Sequence, residues 1–258
     1  MTMYDLEAKT AFVTAGAQGI GRSIAIELAR VGADIVIAQR DIKKADGVID
    51  EIKSMGRQVI AVQVDVTDMI SVKNGVQKAL EQFPRIDILV NNAGCAENME
   101  GGTTLDDFDA CYDVNLKGVW RVSSELAPHF KANKSGKIIN ISSIAGRIGS
   151  AYMPAYRASK AAVINLTQSL ACLLGPDNIN VNAICPTGIL TTEMAQNILS
   201  YIGSDAQEDA EKQLMESAPL KSLVTTDDIA YATVFFASPA AKNITGQTLN
   251  VDGGLIMN

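Results

Sequence analysis

The chain has 258 residues, 47% hydrophobic and 20% charged, with 7 prolines and no low-complexity tract; that is material for one sizeable core and excludes a disordered or fibrous chain. Its 22 basic against 29 acidic residues leave a net charge of −7, which gives nucleic acid or an anionic membrane no electrostatic attraction. A single histidine, His129, rules out a multi-histidine metal site and leaves one residue for any Ser-His-Asp hydrolase.

Four cysteines, Cys95, Cys111, Cys172 and Cys185, stand far apart without a C-x-x-C pair and read as reduced, mostly buried small hydrophobes. The segment from Met1 to Glu7 lacks a basic n-region and an apolar h-region. No later stretch approaches the ~18 apolar residues of a membrane span. The expectation is a cytoplasmic protein acting on a small molecule, with neither nucleic acid nor membrane as partner.

In chain order, the first strand is expected over Lys9–Ala15 (KTAFVTA), and the cluster Thr14-Ala15-Gly16-Ala17-Gln18-Gly19-Ile20-Gly21 follows it. Glycines at a strand-to-helix turn let the backbone approach a pyrophosphate, and the helix N-terminus supplies N–H donors and partial positive charge. The helix that follows carries Ile20, Ile24 and Leu28 on one face. The second strand, Asp34–Ala38 (DIVIA), runs into Gln39-Arg40-Asp41. An acid at the Gln39 position would accept the ribose hydroxyls of NAD; instead Arg40 can pair with a 2′-phosphate.

Strands three to five are expected over Gln58–Val64, Ile86–Asn91 and Lys137–Ser142, with Val72, Val76 and Leu80 on one face of the helix after the third. A long helix from Ala155 to Leu174 ends at Gly175-Pro176 and carries Tyr156 and Lys160 on one face, four residues apart. A phenol with an ammonium beside it is a workable general acid or base. The last strands are expected over Ile179–Ala183 and Gln247–Val251. Between them, about 187–222, apolar residues (Met194, Ile198, Leu199, Tyr201, Ile202) mix with the acidic run from Ser204 to Glu211. Ligands of open α/β sheets bind outside the strands' carboxyl ends, so this insertion is expected to be a substrate lid. The mostly apolar strands and the βαβα rhythm imply one α/β domain over residues 1–258, a doubly wound, parallel, seven-stranded, Rossmann-like sheet.

The glycine cluster, Asp65-Val66, Asn91-Asn92-Ala93-Gly94, Asn115, Ser142-Ser143, Tyr156-Arg157-Ala158-Ser159-Lys160 and Cys185-Pro186-Thr187-Gly188-Ile189-Leu190-Thr191 together resemble the short-chain dehydrogenase/reductase family, over the whole chain. That family's glycine motif is T-G-x-x-x-G-x-G. Here Ala15 holds the first glycine position, and a negative φ there with a slightly altered loop is expected. The resemblance implies that Thr14, Gly16, Gln18, Gly19, Ile20 and Gly21 form the pyrophosphate loop. Asp65 and Val66 would meet the adenine, and Asn92, Ala93 and Gly94 would border the cofactor. Pro186, Thr187, Ile189 and Thr191 would hold the nicotinamide carboxamide, with Thr187 where the family usually has glycine. By the same resemblance Gln39 and Arg40 favour NADP over NAD, with Arg40 as a solvated loop charge and NAD held through Gln39 as the other reading.

Of the catalytic residues that the resemblance implies, Tyr156 transfers the proton, Lys160 lowers its pKa and binds the ribose, and Ser143 holds the substrate oxygen. Asn115 holds a water linking Lys160 to solvent, and Ser142 is structural. No metal is needed. The closing segment Thr245–Gln247 and Val251–Gly254 implies a homotetramer or dimer. The activity implied is reversible hydride transfer between NAD(P) and a secondary alcohol or ketone, with a small polyol, sugar or hydroxy/keto compound as first expectation. A 3-oxoacyl thioester on acyl-carrier protein, or a hydroxysteroid, is the alternative, and a non-catalytic dinucleotide-binding regulator is the alternative of another class. Cys95, Ala96, Ile144, Ala145, Arg147, Tyr152, Met153 and Thr187 are expected to border the substrate. An acidic carrier protein would want a basic docking patch; Lys131, Lys134 and Lys137 are nearby, but the acidic balance of the chain weighs slightly against that partner.

Overall fold

In a computed structural model that describes residues 4–97, 102–202 and 206–257, seven parallel strands form one sheet in the order β3-β2-β1-β4-β5-β6-β7. They are β1 (Thr10–Thr14), β2 (Asp34–Gln39), β3 (Val59–Gln63), β4 (Ile88–Asn91), β5 (Gly136–Ile141), β6 (Ile179–Pro186) and β7 (Thr248–Val251). The chain is a single Rossmann-like domain. β6 runs on past Ala183 because Ala183 to Pro186 pair with β7 from Thr248 to Val251.

The helices of the described residues are α1 (Gly19–Arg30), α2 (Asp46–Ser54), α3 (Met69–Gln82), α4 (Leu105–Cys111), α5 (Gly118–Asn133), α6 (Pro154–Leu174), α7 (Glu193–Ile202), α8 (Ala206–Ser217) and α9 (Thr226–Ala237). α4 and α5 are joined by a π-helical turn, Tyr112–Lys117. α6 starts one residue earlier than expected, since Pro154 suits a first helical turn that needs no N–H there. Of the acidic run in the lid segment, Ser204 and Asp205 lie outside the described residues.

Alternate strand residues face opposite sides of the sheet. Ala11, Val13, Ile88 and Val90 pack with Ile24 and Leu28 of α1 on one side. Phe12 and Leu89 pack with Leu126 and Phe130 of α5 on the other. Phe12 is fully buried, and truncation of such a residue to alanine costs about 3–5 kcal/mol. Ile20, half-buried, packs against the edge of this core and also lines a cavity.

β1 pairs with β2 on one side and β4 on the other, so strand order reverses there and a crevice opens at the carboxyl ends, the ligand position in such sheets. At the amino ends, polar groups are paired off. His129 Nε2 accepts the Ile86 N–H at 3.0 Å. Lys131 and Lys134 both pair with Asp177, and Lys137 donates to Asn180 Oδ1 at 2.7 Å. These three lysines therefore lie at the end of the sheet away from the crevice, with their charge partly neutralised. All four cysteines are free; Cys172, expected with the buried ones, is exposed on α6. Among the described residues no helix is long and apolar enough to cross a membrane.

Candidate active site

The glycine loop closes the β1–α1 turn with two left-handed residues. Ala15 has φ +51° and Gly19 φ +52°, so the negative φ expected for Ala15 is corrected. The loop requires the left-handed turn at that position whichever residue fills it, and alanine bears a penalty that glycine escapes. Gly21 has no such freedom of identity: a Cβ there would lie 2.2 Å from the Ala15 carbonyl oxygen and 2.5 Å from Asn92 Nδ2. Gly16 is also crowded, its Cβ position lying 3.2 Å from Val13 O. Gln18, at the N-cap of α1, makes no side-chain cap bond, and the first turn holds no acidic residue. The N–H groups at this helix start are thus available to an anion.

The loop is tied to the end of β4. Thr14 Oγ1 accepts from the N–H groups of Asn92 (2.9 Å) and Ala93 (3.0 Å). Asn92 Nδ2 donates to the carbonyls of Thr14 and Ala15 at 3.1 and 3.2 Å. Deeper in the sheet, Asn91 donates to Ser123 Oγ and to Asn140 Oδ1.

Two cavities flank the loop. One, of about 180 Å³, is lined by Gln18, Gln39, Arg40, Asp65, Val66 and Gly94 among others. Hydrogen bonds from Thr67 hold the Asp65 carboxyl below its ordinary range. The other, of about 310 Å³, is bordered by Ile20, Ser143, Tyr156, Pro186, Thr187 and Ile189. Each contains a buried oxygen without a hydrogen-bond partner: Gln39 Oε1 in the first and Thr187 Oγ1 in the second. Buried polar atoms are rarely left so. An elongated ligand crossing the glycine loop, with polar groups at both ends, would satisfy them, which fits a dinucleotide.

Of the chemistry-bearing side chains, Ser143 and Tyr156 line the larger cavity, while Lys160 and Asn115 are buried outside its lining. Ser143 stands at the end of β5, its Oγ accepting the Ala145 N–H at 3.1 Å and hydrogen-bonding Tyr156. Lys160 Nζ lies 5.7 Å from the centroid of the Tyr156 ring and donates to Ile141 O at 3.0 Å. Burial pushes the Tyr156 phenol up to about 12, partly opposed by the Ser143 bond. Burial also lowers Lys160 to about 8. At neutral pH the phenol therefore keeps its proton and the ammonium keeps most of its charge. Ser142 is structural, donating to Lys160 O at 2.8 Å.

Asn115 sits fully buried in the π-helical turn. Its Oδ1 accepts the Cys95 N–H (2.8 Å), and its Nδ2 donates to Cys95 O and Ser159 Oγ, both at 2.9 Å. A Cβ on Gly94 would lie 3.2 Å from Asn115 Oδ1 and 3.4 Å from Lys160 Nζ. Both polar groups thus lie close to Gly94.

α7 and α8 cover the larger cavity, with Met194, Ala195, Ile198 and Leu214 against it. Gln18 of the glycine loop donates to Glu193 at the start of α7. Thr192, rather than the exposed Thr191, meets the cavity. The turn closed by the Thr192 N–H on Ile189 O (3.1 Å) brings this residue over Gly19. Of the expected substrate neighbours, Ile144, Ala145, Met153 and Thr187 line this cavity, whereas Cys95 lines the smaller one. Ala96, Arg147 and Tyr152 line neither; Arg147 is turned away to Thr248 O at 2.9 Å.

Sequence reasoning did not single out Thr192, Leu255 or Glu97. Thr192 was legible as a helix-capping threonine, since its Oγ1 accepts from Ala195 N. Leu255 reaches the cavity only through the closing segment, which Asp252 folds by accepting the N–H groups of Gly254 and Ile256 at 2.9 Å. Glu97 is joined to Tyr156 across 59 residues.

Comparison with known proteins identifies the family of this fold. A family model described as enoyl-(acyl carrier protein) reductase, of the short-chain alcohol dehydrogenase type, matches residues 14–256. The 3-oxoacyl-(acyl-carrier-protein) reductase FabG of Staphylococcus epidermidis is 39% identical over 251 residues, 96% of this chain and 99% of that protein. Oxidoreductase UcpA of Salmonella typhimurium is 37% identical, over 98% of this chain and 96% of that protein. Among solved structures, a 7α-hydroxysteroid dehydrogenase complexed with NADH and 7-oxo glycochenodeoxycholic acid superposes with a TM-score of 0.90 at 32% identity, covering 99% of this chain and 97% of that one. The chain belongs to the short-chain dehydrogenase/reductase family and is an oxidoreductase of that type.

Proposed function

We propose that the protein reduces 3-oxoacyl thioesters to 3-hydroxyacyl thioesters with NADPH. The observation that carries this reading is the wall of the larger cavity: Ile148, Met153, Met194, Ile198, Leu214 and Leu255 enclose it, and the hydroxyls gather at Ser142, Ser143, Tyr156, Thr187 and Thr192. A polyol or sugar there would leave hydroxyls unpaired against apolar side chains, at about 1–3 kcal/mol each. An acyl chain gains about 0.8 kcal/mol per buried methylene. The thioester therefore replaces the small polyol, sugar or hydroxy/keto compound as first reading, in line with the name of the Staphylococcus epidermidis relative. A hydroxysteroid is the second reading, favoured by the same apolar wall and by the steroid in the solved neighbour.

Bound at the crevice, the dinucleotide supplies the hydride. The α1 N–H groups face its pyrophosphate, and Gln39 Oε1 can accept from a ribose hydroxyl. Arg40, exposed and without an ion pair among the described residues, takes the 2′-phosphate. Thr187 Oγ1 and the Ile189 backbone hold the carboxamide side. Ser143 Oγ and the Tyr156 hydroxyl hold the substrate carbonyl oxygen between them, and Tyr156 gives that oxygen its proton. The Lys160 ammonium stabilises the phenolate left behind, and Asn115 with a water returns the proton from solvent. Exposed Trp120 on α5 and Leu173 on α6 give a second copy of the chain a surface to pack on, in keeping with a homotetramer or dimer.

The reading is tested by following NADPH and NADH oxidation in parallel with acetoacetyl-CoA, a 7-oxo bile acid and a set of keto sugars. Acetoacetyl-CoA with NADPH is expected to give the highest kcat/KM, and Arg40→Ala to lower it about 10-fold or more for NADPH alone, the size of a lost charge-assisted hydrogen bond. Preference for a keto sugar, or equal loss with both cofactors, contradicts it.

A further inference from the structure

Between the cofactor loop and the catalytic helix lies a buried carboxylate that the proton-transfer scheme does not use. Glu97 is only 7% exposed and follows Gly94 by three residues. Its Oε2 accepts the backbone N–H of Tyr156 at 2.9 Å, and its Oε1 accepts from Thr103 Oγ1 at 2.6 Å. The first N–H groups of a helix have no partner within the helix. At α6 the local sequence supplies none either: the N-cap residue Met153 sits at φ +57° and makes no side-chain cap bond. The acceptor comes instead from a segment far away in the chain, as a carboxylate, the group best suited to a helix N-terminus.

That segment is held at several points. Asn92 bonds the glycine loop, Asn115 grips both backbone groups of Cys95, and Glu97 grips the turn that carries the phenol. We propose that Glu97 is a positioning residue for Tyr156, coupling the loop that borders the cofactor to the turn bearing the proton donor. The proposal rests on Tyr156 being that donor. A displacement of about 1 Å at a reacting group can cost about 10²-fold in rate, so loss of this tie acts on turnover more than on binding.

The test compares Glu97→Ala, Glu97→Gln, Thr103→Val and Tyr156→Phe. Readouts are acetoacetyl-CoA reduction with NADPH, calorimetric titration with NADPH, and amide hydrogen exchange at Tyr156 by NMR. Glu97→Ala is expected to lower kcat by about 10- to 100-fold, with KM and NADPH affinity within about twofold, and to speed exchange of the Tyr156 amide. Glu97→Gln keeps an acceptor oxygen and is expected to restore both kcat and protection. Unchanged kcat or unchanged amide exchange in Glu97→Ala overturns the proposal. So does a loss of NADPH affinity matching the loss of kcat, or a Gln variant as impaired as the Ala variant. Should Glu97→Ala fail to fold, Thr103→Val decides: it frees one carboxylate oxygen and is expected to lower kcat severalfold, and an unaltered kcat counts against the proposal. An active Tyr156→Phe removes the proton-donor reading itself. An inactive Tyr156→Phe beside an unimpaired Glu97→Ala removes only the positioning role.

Discussion

The two ends of the sheet are built from similar residues and treat them differently. At the amino ends, charges find partners: Asp87 takes Lys9 and Arg85, Asp34 takes Arg57, and Asp177 takes Lys131 and Lys134. At the carboxyl ends, Gln39 Oε1 and Thr187 Oγ1 are buried without partners, burial pushes the Tyr156 phenol up to about 12, and Ala15 holds a left-handed turn. An end that satisfies its polar groups stabilises the fold. An end that leaves them unsatisfied is arranged for something to bind.

Substitutions can break this contrast, and Tyr156→Phe has the largest expected effect. It removes the proton donor and should lower kcat by about 10²- to 10⁴-fold, with NADPH binding and thermal melting unchanged, checked by steady-state kinetics and calorimetry. Next is the pH profile of reduction. The phenol, pushed up to about 12, stays protonated through the working range, whereas the Lys160 ammonium, lowered to about 8, is lost as pH rises through that value. The rate should be level near pH 7 and fall above about 8, and a rate that climbs there contradicts the assignment. Ala15→Gly relieves the left-handed alanine and should raise stability by about 1 kcal/mol, seen as a melting temperature about 2–4 °C higher. The smallest effect belongs to the amino end. Replacing Lys131 and Lys134 by alanine should leave turnover of both acetoacetyl-CoA and a carrier-protein thioester within about twofold, since both pair with Asp177 at the end of the sheet away from the crevice.

Much of this was legible in the sequence, for physical reasons that also mark where legibility stopped. Strands such as Asp34–Gln39 are buried on both faces and read as unbroken apolar runs. The Tyr156–Lys160 spacing is a local helical property, so its geometry follows from the sequence alone. The sign of φ at Ala15 was missed because alanine favours negative φ and only the closed loop imposes the other. The π-helical turn around Asn115 was missed because it answers to Cys95 and Ser159, partners 20 and 44 residues away. Glu97 was invisible for the same reason: a lone acid after a glycine motif gains meaning only once folding sets it under the catalytic helix.

The most direct test of the central claim is to follow an isotope. With NADPH deuterated at C4 of the nicotinamide on one face, acetoacetyl-CoA should yield 3-hydroxybutyryl-CoA carrying deuterium at the new carbinol carbon, read by mass spectrometry and NMR. The label should go missing with the opposite face, and with Tyr156→Phe the product should form about 10²- to 10⁴-fold more slowly. Product without deuterium from either face, or labelled product formed at an undiminished rate by Tyr156→Phe, would contradict the account.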